Sequence, residues 1–467
     1  MGKYKTLAKN SAFVLIGNIG SKAIAFLMLP FYTSYLSVED YGTADLVSVY
    51  VALILPFVTC SISESIFVFP ANRNKSDQKA YFTSGINFAI MMLLFFAIIL
   101  AMSGIVFYDS TNVFFQYKWF VFVSIAISYC QTYLQQFCMA LNKMFIFSFT
   151  GIILTFSIAF FGIIMVPMYG LIGYLISIIL ANMITSAFTL VATKSYHYYN
   201  LRATSFMKLK EMLNFSVPLI PNALMWWIIG ALNKVTMQTY VGVYFIGLYA
   251  IADKIPSILS ALFNSLTNAW KVSVLNEYGK DTFCAFYNNV AKAVITTVAL
   301  GAALLGIFSE PIITIATRES FHAAWIYSPI MVFGFLFQAS GGIVDSIFAA
   351  EKKGKYYLYT SLLGATVCIL FNFTLIPLYG IWGAIISFAS SHFMIAVSRL
   401  YFAEKYVRLK EKKLILLYLF IVLLNNILLV SFHCYLLSIV TVIVVMMLYL
   451  YINKSNMSFI LSIIKRK

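Results

Sequence analysis

The sequence predicts an all-α polytopic membrane protein that crosses a bilayer about fourteen times, and three observations carry that expectation. Of 467 residues, 62% are hydrophobic and 10% charged, against roughly 45–50% and 25% in soluble domains. No water-soluble fold can bury that surplus. The apolar residues fall into runs near twenty long, enough for a helix to cross a hydrocarbon core of about 30 Å. Basic residues collect in alternate connections between the runs. In lipid every backbone polar group must be satisfied within its own segment, so each run is expected to be a helix.

Taken in order, the first half gives spans near 10–33, 43–69, 81–107, 118–141, 145–166 and 171–193. The second half gives 212–234, 243–270, 284–308, 323–349, 356–376, 381–402, 414–432 and 435–453. The stretch Ser11 to Thr33 is too long for a signal-peptide core and lacks a small-residue cleavage site, so it is expected to stay as a span. Pro218, Pro221 and Pro256 interrupt spans seven and eight, where a missing backbone donor frees a carbonyl and bends the helix. External connections are brief, the longest running from Ser309 to His322. They leave no room outside the membrane for a folded catalytic domain, and no P-loop is present.

Orientation follows from the basic residues, since cytoplasmic loops are enriched in them. With both termini in the cytoplasm, 27 of the 32 Lys and Arg fall on the inner side. Lys118 and Arg318 are left outside, and Lys22, Lys234 and Lys254 lie within or at the ends of spans. The net charge of +16 therefore reflects topology and contact with anionic lipid, and does not point to nucleic acid. Cys60, Cys130, Cys138, Cys284, Cys368 and Cys434 show no metal-ligand or redox spacing and are expected to pack as small residues.

The halves repeat at one offset. Pro167, Tyr169, Gly170, Gly173, Ile176 and Ser177 match Pro377, Tyr379, Gly380, Gly383, Ile386 and Ser387, each pair 210 apart, and Ala140 and Lys143 match Ala350 and Lys353. Repeated six-span halves are a transporter architecture, with the substrate cavity between them. The expected domains are a six-helix lobe over 1–205, a second over 206–405, and two extra helices with a basic tail over 406–467.

Several segments carry a family resemblance. They are Asn10-Ser11 through Gly17-Asn18, Tyr35-Leu36-Ser37-Val38-Glu39-Asp40-Tyr41-Gly42, then Gly247, Tyr249, Ala250 and Lys254, and Asn372 with Leu375, Ile376, Pro377, Tyr379, Gly380, Gly383 and Ala384. In this order and spacing the chain resembles a polysaccharide flippase of the multidrug, oligosaccharidyl-lipid and polysaccharide exporter superfamily, close to the Wzx-type O-antigen and capsule flippases. The resemblance implies two rocking lobes in a bacterial cytoplasmic (inner) membrane, moving a polyprenyl-diphosphate-linked oligosaccharide from the inner to the outer leaflet. It implies no catalytic residue and no cofactor. Its partners would be the lipid-linked oligosaccharide, membrane lipids and other polysaccharide-assembly proteins.

Charged residues deep in a span cost about 2.5–3.5 kcal/mol on insertion scales, so they usually face a cavity. Lys22 and Lys254, one from each half, are the candidates to attract the diphosphate as point charges. The competing assignment has each neutralised by an acid, with Asp45, Glu64 and Asp253 available, as a structural brace. Asn222, Trp226 and Trp227 have the chemistry to hold sugar rings and hydroxyls, but aromatic residues in a span also serve as packing. Asp345 with Glu351 is either a gate or an interfacial pair, and Lys234 and Arg399 are expected to reach an interface by their long stems. His392 is either structural or carries a coupling proton; the coupling ion, proton or sodium, is left open. Two other functions compete: a cation-coupled multidrug exporter, whose cavity should favour acids, and a membrane glycan polymerase, which should show a large loop or acidic metal motif.

Overall fold

A computed structural model of the chain describes residues 20–71, 73–106, 112–408, 412–432 and 435–453. The basic N-terminal residues Lys3, Lys5 and Lys9, the stretch Asn10 to Asn18, Cys434 and the tail from Lys454 lie outside the described residues. Every element assigned among them is helical. Nine helices there are long and apolar enough to cross a membrane, so the chain is an all-α, multi-pass membrane protein of two lobes, Met1–Trp227 and Ile228–Lys467.

The first lobe holds α1 (Leu29–Tyr35), α2 (Val38–Val58), α3 (Ile62–Val68), α4 (Lys75–Val106), α5 (Val113–Gln116), α6 (Lys118–Ala140), α7 (Met144–Thr193) and α8 (Phe206–Ser216). The lobe boundary falls within α9 (Ile220–Tyr240). A capping box starts α2: the Ser37 hydroxyl accepts from the Asp40 N–H while the Asp40 carboxylate accepts from the Ser37 N–H, satisfying two otherwise orphaned donors. The expected span over 43–69 is divided. Pro56 removes a donor, and the chain turns at Cys60 and Ser61, both at positive φ, before α3 begins. Span seven is likewise divided, by a 3₁₀ turn over Val217–Leu219 that contains Pro218.

The core of this lobe is built on Ile62, Ile66, Tyr81, Phe82, Phe137 and Met212. Gly85 lets α4 approach α6, because a Cβ there would strike the Tyr133 hydroxyl. That hydroxyl instead donates to the Phe82 carbonyl at 2.9 Å.

The second lobe continues with α10 (Val243–Ala252), α11 (Lys254–Glu277), α12 (Phe283–Ala316), α13 (Ser328–Val344), α14 (Ser346–Ala350), α15 (Lys355–Tyr379), α16 (Ile381–Ala403), α17 (Lys412–Phe432) and α18 (Tyr435–Ile452). The segment expected as a loop from Ser309 to His322 is mostly helical. The buried residues Ser309, Ile313 and Ala316 keep one helical face past Pro311, and a 3₁₀ helix follows over Glu319–Tyr327. The final pair packs on α12. Asn426 sits where only Gly306 leaves room and donates to the Pro329 carbonyl at 2.9 Å, while Tyr418 donates to the Thr296 carbonyl at 3.2 Å.

The repeat is visible in the backbone of each lobe. Gly170 (φ 54°, ψ −128°) joins the two crossings of α7, and Gly380 (φ 57°, ψ −130°) joins α15 to α16. Only glycine enters that region without strain. A Cβ on Gly173 would collide with the Met165 carbonyl and one on Gly383 with that of Leu375, again 210 apart. Asn142 and Lys352 share a positive φ at the matching turns before α7 and α15.

Candidate functional site

In the first lobe the segment carrying Lys22 packs on α7: Ser21 donates to the Gly151 carbonyl at 3.1 Å, and further along Tyr32 donates to that of Ile158 at 3.4 Å. Consecutive residues point about 100° apart around a helix. With Ser21 turned to α7, Lys22 is exposed on another face. Asp45 is half-buried on α2 and Glu64 is exposed on α3. Asn222 and Trp226, both exposed, are four residues apart on α9 and share a face. Trp227 turns inward, its indole N–H donating to the Val49 carbonyl at 3.1 Å.

Span eight is kinked at its charged residues. Asp253 separates α10 from α11, makes no side-chain cap to α11, and is half-buried together with Lys254. Pro256 explains the neighbouring contact: lacking an N–H, it leaves the Ala252 carbonyl without its helical donor. The hydroxyl of Ser328, at the start of α13, donates to that oxygen at 3.2 Å. Asp253 keeps helical φ and ψ, its N–H donates to the Tyr249 carbonyl at 3.0 Å and its carbonyl accepts from the Ser257 N–H at 3.1 Å, so Lys254 sits at a kink and not at a free helix end.

Lys234 departs from the expectation that it reaches an interface. It is 9% exposed, with its ammonium 5.8 Å from the centre of the Tyr249 ring, and Asn233 donates to the Tyr249 hydroxyl at 2.5 Å. The cation lies against an aromatic face, where the ring quadrupole favours it.

Asp345 and Arg399 depart similarly. Asp345 occupies the break between α13 and α14 and is 5% exposed; Arg399 is 4% exposed. They form an ion pair at 2.8 Å, and Lys271 on α11 approaches the other carboxylate oxygen at 3.7 Å. Surrounding hydroxyl and indole donors satisfy the broken helix: Tyr357 donates to the Asp345 carbonyl at 2.8 Å and Trp270 to the Ile343 carbonyl at 3.0 Å. A charge this deep is tolerable only when paired and hydrogen-bonded. His392, 3% exposed, lies two turns before Arg399 on α16 and packs edge-on against Phe388. Glu351 is half-buried at the end of α14.

Of the expected residues, the structure brings Asp345 into contact with Arg399 and Lys271; Asn222 and Trp226 share a helix face, and Asp253 and Lys254 are neighbours that point about 100° apart. Lys22 and Lys254 belong to different lobes. A further cluster ties α8 to α4: Tyr81 donates to Glu211 at 2.5 Å, while Lys208 donates to Tyr81 at 3.3 Å and pairs with Asp77 at 3.5 Å. Among the described residues no group of three or more His, Cys, Asp or Glu side chains could hold a metal ion.

The family model described as "Polysaccharide biosynthesis protein" matches residues 7–270, and the MatE model matches 218–374. The capsular polysaccharide biosynthesis protein CapF of Staphylococcus aureus is 22% identical over 214 residues, covering 44% of this chain and 54% of that one. The Lsg locus putative protein 1 of Haemophilus influenzae is 22% identical over 272 residues, covering 56% and 64%. The matched stretches take in less than two thirds of either relative's length.

In fold, the chain is similar to the inward closed conformation of the lipid II flippase MurJ, with a TM-score of 0.71 at 15% identity over 97% of this chain and all of that one. It also resembles an inward-facing multidrug resistance MATE family transporter, with a TM-score of 0.63 at 13% identity over 84% and 94%. A family model matching more than half of the length leads to one assignment: the chain belongs to the polysaccharide biosynthesis protein family.

Proposed function

We propose that this protein is a flippase that carries polyprenyl-diphosphate-linked oligosaccharide repeat units from the cytoplasmic to the outer leaflet by alternating access, for assembly of a surface polysaccharide such as O-antigen, capsule or exopolysaccharide. The working parts in this reading are the lobes 1–205 and 206–405, with 406–467 as an appended pair, in a bacterial cytoplasmic membrane and with both termini inside.

The observation that carries the proposal is the pair of charged, half-buried residues Asp253 and Lys254 at the proline kink of span eight, where the freed Ala252 carbonyl accepts from Ser328. Charged residues inside a span usually face a cavity or a substrate pathway. The ammonium of Lys254 supplies the attraction. A diphosphate has the complementary charge. Lys22 is assigned the matching role in the first lobe, and Asn222, Trp226 and Trp227 that of sugar contacts. Asp45, Glu64, Asp345 and His392 serve charge balance or coupling to a proton or sodium. The relatives' names support a place in polysaccharide assembly, and the fold is one that transports lipid II in MurJ.

One specific observation favours a second function, a cation-coupled multidrug exporter: the MatE model matches the second half, over residues 218–374. An exporter of cations would be expected to carry acids where this chain carries Lys22 and Lys254. A deletion strain complemented with Lys22→Gln or Lys254→Gln decides between them. Flipping predicts that lipid-linked units accumulate on the cytoplasmic leaflet and surface glycan is lost, with protein level unchanged. Normal glycan in both variants, with export of a cationic dye by the purified wild type, would replace the proposal with the exporter; exported but unpolymerised units would indicate a polymerase.

A further inference from the structure

The first lobe contains a cavity of about 600 Å³ that the transport site does not use. Its walls are α4, α6 and the second crossing of α7. It exists because Ala126 and Cys130 on one wall, and Ser186 and Ala187 on another, are small. The tyrosines of α6 pin α4 at its basic end, where Tyr129 donates to the Gly85 carbonyl at 3.2 Å. Beyond that point α4 turns a wide apolar face outward, with Met91, Leu94, Phe95 and Ile98 each more than half exposed.

Depth and charge say what fits. Along α4 the lining runs from Phe82 to Leu93, roughly 16 Å at about 1.5 Å per residue. That is about half of a ~30 Å hydrocarbon core, the depth of one leaflet. At one end the lining is Tyr196 and Tyr199, residues of the segment that also exposes Lys194, Leu201, Arg202 and Phe206. Exposed aromatic and basic residues in alternation mark the headgroup level of a bilayer. A volume of this order encloses one small-molecule-sized body, which matches a single acyl chain and is too small for a long polyprenyl chain.

We propose that this groove is a binding site for an anionic glycerophospholipid: one acyl chain lies between α4, α6 and α7, and the phosphate headgroup is held at the interface by Lys194 and Arg202. The site lies within one lobe and is independent of the transported substrate.

Native mass spectrometry of the full chain, titrated with phosphatidylglycerol or phosphatidylcholine, tests it. The wild type should bind phosphatidylglycerol in preference. Lys194→Gln and Arg202→Gln should each lower that affinity about fivefold, the effect of one interfacial cation, and leave phosphatidylcholine unaffected. Ala126→Phe or Ala187→Phe should remove the bound phospholipid, and both surface variants must unfold at the wild-type temperature. Equal affinity for the two lipids, unchanged binding in the surface variants, or displacement of phosphatidylglycerol by equimolar polyprenyl phosphate would overturn the proposal.

Discussion

Arg399 and Asp345 show how a charged residue survives inside an apolar bundle. Removing Arg399 leaves the buried Asp345 carboxylate with only Lys271, at 3.7 Å, and breaking a buried pair costs up to about 3–5 kcal/mol. Arg399→Gln is therefore expected to lower the unfolding temperature of the detergent-purified protein sharply. The double variant Asp345→Asn with Arg399→Gln should recover most of the loss; equal destabilisation in both would show that the pair has no special standing. The pair was half-legible in the sequence. At the 210 offset Asp345 falls on Gln135 and Arg399 on Thr189, so the second half carries charge where the first is neutral. In the first lobe Gln135 donates to Thr150 at 2.8 Å, a neutral contact at a corresponding place. That comparison could have singled out Arg399. Lys234 could not be found this way, because hydropathy registers residue type and position along the chain but not the Tyr249 ring that receives the ammonium.

At the scale of elements, the joints at the repeated turns were readable and the breaks were read in part, while nine helices among the described residues are long and apolar enough to cross a membrane, against the fourteen expected. The Pro-x-Tyr-Gly turns predicted a joint at Gly170 and Gly380, and positive φ at both glycines is the physical reason. Pro218, Pro221 and Pro256 are the expected interruptions: Pro218 lies in the 3₁₀ turn, whereas Pro221 is the second residue of α9 and Pro256 the third of α11. The break at Asp345 has no proline to announce it; its carbonyls are satisfied by Tyr357, Tyr287 and Trp270 from other elements, which a local pattern does not encode. Pro256 gives the element-level prediction. Pro256→Ala restores an N–H to the Ala252 carbonyl and competes with Ser328, so α10 and α11 should run on as one straighter helix. Thermal stability should fall slightly, by up to about 1 kcal/mol, because a proline compatible with the first helical turn restricts the unfolded chain and Ser328 already satisfies the Ala252 carbonyl, while glycan export falls at constant protein level. Export at the wild-type rate would show that the break serves packing alone.

For the whole molecule, composition was enough for the class and the 210-residue repeat was enough for the two lobes, because hydrocarbon admits few alternatives to apolar helices. The substrate is a different matter: it depends on a few cations whose partners are set by tertiary contacts. The proposed account needs Lys22 and Lys254 to act on the same anion during one transport cycle.

Purified protein reconstituted in liposomes, with a polyprenyl-diphosphate-linked oligosaccharide placed in one leaflet, measures this directly by the glycan's accessibility to a membrane-impermeant glycosidase. The account predicts that wild type exposes the glycan on the opposite face well above protein-free liposomes, and that Lys22→Gln and Lys254→Gln each reduce the rate at least tenfold. Exposure at the protein-free rate with wild type, or undiminished exposure with both variants, would contradict it.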